Sequence, residues 1–376
     1  MSQPIHISCQ FDSGNIEVIN SESEDNIRLA IRNDNNSDFY QWFHFKVHGQ
    51  SDQNYRFCIE NASDAAYAAG WEDYQAVASY DRETWFRVDT DYRDGQLIIE
   101  HTHQHEVIYY AYFAPYSYER HLDLLQFCQS SPIAKLEHLG STLDGRDMTL
   151  AIIGEPETAQ NIVWMIARQH PGESMAEWLV EGFLQKLLDD SDPMARQLLS
   201  NTVFYVVPNM NPDGSVRGHL RTNAAGANLN REWLEPTMDR SPEVLLVRQK
   251  MQATGVDVFL DIHGDEAIPY NFLASCEGIP SYNDERAASQ DKFRQAFLES
   301  SPDFQIKHGY PVAEPGQANL TMATTWVAET FGCVSFTLEM PFKDNLDLPD
   351  EVFGWSPERC MRLGEAICYP ILKSIQ

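Results

Sequence analysis

The segment Arg168-Gln169-His170-Pro171-Gly172-Glu173-Ser174 carries the residue types of a metal site. It follows the apolar run 162–167 and precedes the helix-like stretch 175–184. A strand, a sharp turn and a helix start therefore bring His170 and Glu173 to one strand tip. An imidazole and a carboxylate at this spacing can share one Zn²⁺, with metal–ligand distances of about 2 Å. The spacing alone is common; its meaning depends on whether the chain adds a third ligand, a base and an anion clamp.

Three further apolar runs end in suitable residues. The run 203–207 leads into Asn209–Gly214, 256–262 ends at His263, and 334–338 ends at Glu339. In open α/β sheets ligands bind beyond the carboxyl ends of the strands, so these tips are expected to meet in one crevice. Two histidines and a carboxylate make the ligand set of a catalytic zinc site, leaving one position for water. His170, Glu173 and His263 fill that set. Zinc lowers the pKa of its bound water toward ~7, and a nearby carboxylate can take the proton and return it to a leaving amine. Glu339, on a strand tip with an apolar approach, is the candidate base. The Gly/Asn-rich loop 217–233 holds Arg217, Arg221 and Arg231. Guanidinium groups pair with carboxylates in a bidentate fork, which suits one arginine to a terminal carboxylate and another to polarising a carbonyl.

The elements that must position these residues change rhythm along the chain. Up to about residue 120, short alternating runs such as 27–31, 42–47, 55–59 and 96–99 are separated by turn residues. That pattern predicts an antiparallel β-sandwich, placed at residues 1–121. In residues 122–376, strand candidates at 149–153, 161–167, 202–207, 256–262, 271–275 and 334–338 alternate with helix candidates at 174–189, 193–200, 242–253, 285–299 and 356–374. Such alternation predicts an α/β/α domain on a mostly parallel or mixed sheet.

Composition narrows the function classes. The 376 residues suffice for one large domain and a smaller one, and a hydrophobic fraction of 43% suits a globular fold. A formal net charge of −29 argues against nucleic acid or an anionic membrane as partner. No signal-like start and no apolar run of about 18 residues is present, so neither secretion nor a membrane span is expected. Seven scattered cysteines without a C-x-x-C pair point to reduced thiols and a cytoplasmic location.

Taken in order, the motifs resemble those of the zinc metallocarboxypeptidases, and more closely their cytosolic carboxypeptidase branch. The resemblance is carried by His-Pro-Gly-Glu (170–173), Asn-Pro-Asp-Gly (211–214), Leu-Asn-Arg-Glu-Trp (229–233), Asp-Ile-His-Gly (261–264) and Phe-Thr-Leu-Glu (336–339). The segment 111–118 resembles that branch's junction between a β domain and the catalytic domain. The resemblance implies one zinc ion per chain on His170, Glu173 and His263, with Glu339 as general base and acid. It further implies that Asn230 and Arg231 hold the substrate's C-terminal carboxylate and that Arg221 stabilises the oxyanion.

Two positions depart from the family pattern. Asn228 stands where relatives often place an Asp that orients a zinc-bound histidine, and an amide oxygen accepts the same bond without the charge. Cys333 and Val334 occupy a stretch where polyglutamate-cleaving relatives carry a basic residue.

The expected activity is hydrolysis of C-terminal residues from peptides or protein tails by metal-activated water. A zinc amidohydrolase (deacylase) acting on small N-acyl amino acids is the alternative, and a catalytically weak peptide-binding module is a third reading. Thr324, Thr325 and Trp326 lie where relatives shape the side-chain pocket. Arg217 reads as a solvated loop residue, His101, His103 and His105 as a solvated sheet face, and Asp261 as either a support of His263 or an ordinary buried acid.

Overall fold

The computed structural model describes residues 5–376. Two five-stranded sheets form the N-terminal β unit. One runs in the order His6–Ser8, His44–His48, Val107–Ala111, Val77–Ser79, Phe86–Arg87. The other runs Glu17–Asn20, Ile27–Ala30, Asn54–Ile59, Gln96–Thr102, Asp89–Arg93. Pairing is antiparallel except between Ile27–Ala30 and Asn54–Ile59, which run parallel. Alternate residues face inward and the sheets close on one another through aromatics. Phe57 of one sheet meets Phe45 and Tyr110 of the other at 5.7 and 5.1 Å between ring centroids. The β-sandwich expected from the alternating runs is therefore present, with one parallel pair added.

The histidine run 101–105 differs from the expected solvated face. His103 is buried and His101 half-buried, and the Tyr110 hydroxyl bonds His101 Nδ1 at 2.9 Å and His103 Nε2 at 3.0 Å. The aromatic packing between the sheets captures both rings, and His105 alone remains exposed.

A seven-stranded mixed sheet organises the rest. Its strands are β1 (Ala134–Ser141), β2 (Asp147–Ile153), β3 (Asn161–Ala167), β4 (Thr202–Val207), β5 (Val258–Asp265), β6 (Phe272–Ser275) and β7 (Val334–Pro341). They lie in the order β1-β2-β4-β3-β5-β7-β6, with β4, β3, β5 and β7 parallel and the outer pairings antiparallel. The helices are α1 (Tyr118–Gln129), α2 (Met175–Leu187), α3 (Pro193–Leu199), α4 (Pro212–Arg217), α5 (Pro242–Thr254), α6 (Asp284–Ser300), α7 (Ala323–Phe331), α8 (Pro357–Ala366) and α9 (Cys368–Ser374). Strand β3 shows why the sheet is covered twice. Val163, Met165 and Ala167 face the core that includes α2, α8 and the β unit, while Trp164 and Ile166 face the core that includes α5 and α7. A strand buried on both faces reads as one continuous apolar run.

The expected helix over 356–374 is interrupted at Ile367. Pro370 has no N–H to donate to Ala366, so the chain restarts as α9. Among the described residues no helix is long and apolar enough to cross a membrane.

Helices α2 and α8 cross backbone to backbone. A Cβ on Gly182 would stand 2.2 Å from the Met361 carbonyl oxygen, and one on Gly364 would stand 2.0 Å from that of Leu179. Both neighbours are main chain and cannot rotate away. Gly364→Ala is expected to lower the unfolding free energy by about 3 kcal/mol; a urea midpoint equal to that of the unsubstituted protein would disprove the close crossing.

Candidate active site

The turn after β3 is held open by an unusual residue. Arg168 is buried and adopts φ +59°, a left-handed conformation that a non-glycine residue keeps only when its surroundings compel it. Its Nη1 donates to Tyr116 O and to Glu177 Oε2, both at 2.8 Å, and its Nε donates to Pro171 O at 3.0 Å. Glu177, fully buried on α2, also meets His121 Nδ1 at 2.6 Å and accepts from Asn209 Nδ2 at 3.1 Å. This network fixes the path on which His170 and Glu173 sit.

Strand β5 lies beside β3 in parallel register and delivers His263 to the same point. The Nδ1 atoms of His170 and His263 face each other at 3.1 Å. Glu173 Oε1 lies 2.7 Å from the first and Oε2 2.7 Å from the second. Ligand atoms on a tetrahedral zinc at about 2.0–2.1 Å stand about 3.3 Å apart, so this buried trio fits that ion. Each ring is oriented from behind. His170 Nε2 lies 3.0 Å from Asn228 Oδ1, and His263 Nε2 lies 2.9 Å from Asp261 Oδ2. Asp261 also accepts from Gln169 Nε2 at 2.7 Å, which assigns it the support of His263 rather than an incidental burial.

Burial and neighbouring charges pull the three groups in different directions. Burial opposes ionisation of Glu173, yet the two histidines hold its pKa below the usual carboxylate range. Burial and the Arg221 charge push His170 down to about 3, so it presents a neutral imidazole. His263 is also buried, but Asp261 and Glu173 raise its pKa well above the ordinary value.

Glu339 stands opposite His263 in the β5–β7 register. It is 6% exposed, and its Oε2 is buried with no hydrogen-bond partner. Burial raises its pKa well above the carboxylate range. Tyr310, which sequence reasoning did not single out, bonds Asp265 Oδ2 at 2.5 Å and lies 3.3 Å from Glu339 Oε1.

These groups line a cavity of about 350 Å³ that also exposes Tyr67, Arg221, Asn230, Arg231, Glu266 and Met322. Arg231 is exposed, and among the described residues it forms no ion pair. Asn230 Oδ1 accepts from Ala323 N at 2.9 Å, which leaves its Nδ2 free to donate. Arg221 Nη1 lies 4.0 Å from Glu173 Oε1, and its guanidinium covers the Phe39 and Tyr67 rings at 5.7 and 5.1 Å. Arg217 departs from the expected solvated residue, because Asp144 grips its Nε and Nη2 at 2.8 and 2.7 Å. Thr324, Thr325 and Trp326 lie off the cavity wall. Thr324 bonds the Thr337 hydroxyl at 2.7 Å, Thr325 donates to Asn319 O, and Trp326 packs on Trp233; Met322 takes the wall position.

The β unit builds part of this site. The buried Asp34 carboxylate accepts from the backbone N–H groups of Leu220, Arg221 and Thr222 at 2.7, 2.8 and 2.9 Å, and from the Thr222 hydroxyl at 3.0 Å. No local sequence signal joins Asp34 to a loop so distant in the chain.

An α/β/α sheet with a His-Glu-His cluster at its strand ends and two arginines lining the same cavity has the make-up of a metallopeptidase. Residues 119–358 match the family model for zinc carboxypeptidase, and residues 7–113 match that for the cytosolic carboxypeptidase N-terminal domain. The fold is similar to a metallo-carboxypeptidase from Burkholderia cenocepacia (50% identity, 99% of each chain, TM-score 0.97). It is also similar to a metallo-carboxypeptidase from Pseudomonas aeruginosa in complex with (2-guanidinoethylmercapto)succinic acid (46% identity, 98% of each chain, TM-score 0.95). Human cytosolic carboxypeptidase 1 is 27% identical over 72% of this chain, which spans only 26% of that protein's length. The chain belongs to the zinc carboxypeptidase family and is a hydrolase of the metallocarboxypeptidase class.

Asp34→Asn replaces one acceptor oxygen with an NH2 donor that faces N–H groups needing an acceptor. The substitution is expected to lower the unfolding free energy by about 2–3 kcal/mol. Chemical denaturation checks this, and an unchanged midpoint would show that Asp34 does not hold the loop.

Proposed function

We propose that His170, Glu173 and His263 hold one zinc ion and that the protein removes C-terminal residues from peptides or protein tails, with Glu339 carrying the proton. The observation behind this reading is the convergence of two imidazole Nδ1 atoms and a carboxylate next to Glu339 in the adjacent strand. When bound, zinc supplies Lewis acidity to the scissile carbonyl and acidifies water.

The chain's own side chains do the rest. Arg231, exposed and free of acidic partners among the described residues, takes the terminal carboxylate in a bidentate fork, and Asn230 Nδ2 donates beside it. Arg221 faces the carbonyl oxygen on which negative charge develops. Glu339 Oε2, buried and unpartnered, accepts a proton from the attacking water and gives it to the departing amine. The ligand of the Pseudomonas aeruginosa relative carries a succinate, which supports a cavity built for a carboxylate. All seven cysteines are buried and unpaired, which supports a reducing, cytoplasmic setting.

Glu339→Gln is expected to keep one zinc per chain by elemental analysis while kcat/KM for a peptide falls about 10²–10⁴-fold. Near-normal turnover would remove Glu339 from the proton path, and zinc-free purified protein that cannot be loaded would remove the ligand set. Arg231→Ala is expected to lower kcat/KM about 10–100-fold for peptides with a free C-terminus. An equal loss on C-terminally amidated peptides would contradict the carboxylate clamp.

A further inference from the structure

We propose that Glu266 is a specificity-determining residue that receives a cationic side chain from the residue preceding the scissile bond, so that the enzyme favours peptides with Arg or Lys next to last. This rests on the carboxypeptidase reading above and names the substrate class of that site.

The cavity has two walls. Asn230 and Arg231 belong to the first, where Asn230 is tied to the start of α7 and Met322 lines the space beside it. The C-terminal residue, held by its carboxylate, lies against that wall. Arg221, Tyr67 and Glu266 form the second. Tyr67 lies under the Arg221 guanidinium, and Tyr67 O accepts from Gly70 N at 2.7 Å. Gly70 in turn presses on Glu266, because a Cβ there would stand 2.9 Å from both the Cβ and the carbonyl oxygen of Glu266. The β unit thus clamps Glu266 against the cavity.

Glu266 is 5% exposed, and its Oε1 is buried with no hydrogen-bond partner. The other acids of the cavity are committed. Glu173 belongs to the His-Glu-His cluster, and Glu339 is the proton carrier. Asp265 accepts from Ala267 N and Ile268 N through Oδ1 and from Tyr310 through Oδ2. The cations of the cavity wall are committed too, Arg231 to the terminal carboxylate and Arg221 to the carbonyl oxygen. A buried carboxylate without a partner is costly, and a guanidinium or ammonium group restores what burial removes. Arg221 lies within electrostatic reach of Glu266 without bonding it, and an acidic side chain at the same place would meet both Glu266 and Asp265.

The test uses the zinc-loaded full chain and N-acylated tripeptides that differ only in the penultimate residue: Arg, its neutral isostere citrulline, and Glu. Wild type is expected to show an Arg-to-citrulline ratio in kcat/KM of about 10–100 and the lowest value with Glu. Glu266→Gln is expected to bring that ratio to about 1, and Glu266→Arg to invert the order of Arg and Glu. A ratio near 1 in wild type, or one unchanged in Glu266→Gln, overturns the inference. Because the ratio compares two substrates on one enzyme, general loss of folded protein does not move it. Failure of the wild-type enzyme to cleave any of these peptides would instead overturn the carboxypeptidase reading itself.

Discussion

A buried carboxylate must find donors for both oxygens, and Glu173 does so at the meeting point of β3 and β5. One oxygen faces His170 Nδ1, and the other faces His263 Nδ1 and the Gly264 N–H at 3.1 Å. This arrangement needs two parallel strands side by side, since only then do their carboxyl ends reach the same point. It also needs the turn after β3 to double back within a few residues. The left-handed Arg168 and its bond to Glu177 meet that demand, and the strain at Arg168 is offset by its bonds to Tyr116, Pro171 and Glu177. The doubly covered sheet and the buried arginine both serve to place one buried carboxylate at the floor of the cavity.

The β unit is bound into the same arrangement. Arg87 donates through Nη2 to Phe342 O, Lys343 O and Trp355 O at 2.9–3.2 Å, just beyond the end of β7, which carries Glu339. Tyr112 stacks on Phe342 with centroids 4.4 Å apart. Asp34 holds the Arg221 loop from the other side, and Gly172 N bonds Leu220 O at 2.9 Å, linking that loop to the turn of Glu173. Arg221 therefore reaches the cavity only because two parts of the chain, far apart in sequence, pack as one body.

Legibility in the sequence followed burial. Strands β3, β4, β5 and β7 are buried along almost their whole length and read as largely apolar runs ending in polar residues, so the fold class and the His170–Glu173–His263 cluster could be read directly. Strand β1 was missed because it is an edge strand whose residues Ala134–Ser141 are mostly polar and half-exposed. Helix α7 begins at Ala323 without a side-chain cap, and its Thr-Thr-Trp-Val core reads more like a strand. Tyr310 lies in a segment without regular structure and belongs to no motif, so only its contact with Asp265 reveals it. Asp34 and Glu266 act through tertiary contacts, which no local pattern encodes.

The substitution of Asn for Asp at position 228 gains its meaning from Asp261. One ligand ring is backed by a neutral amide and the other by a carboxylate, so the two imidazoles differ in basicity. Burial and the Arg221 charge lower the pKa of His170, whereas Asp261 and Glu173 raise that of His263 against its burial. With an Asp at 228, a further half-buried negative charge would stand behind His170. The amide keeps the orienting bond to His170 without adding a negative charge. Both rings are thus oriented from behind while only one of the two supports carries charge.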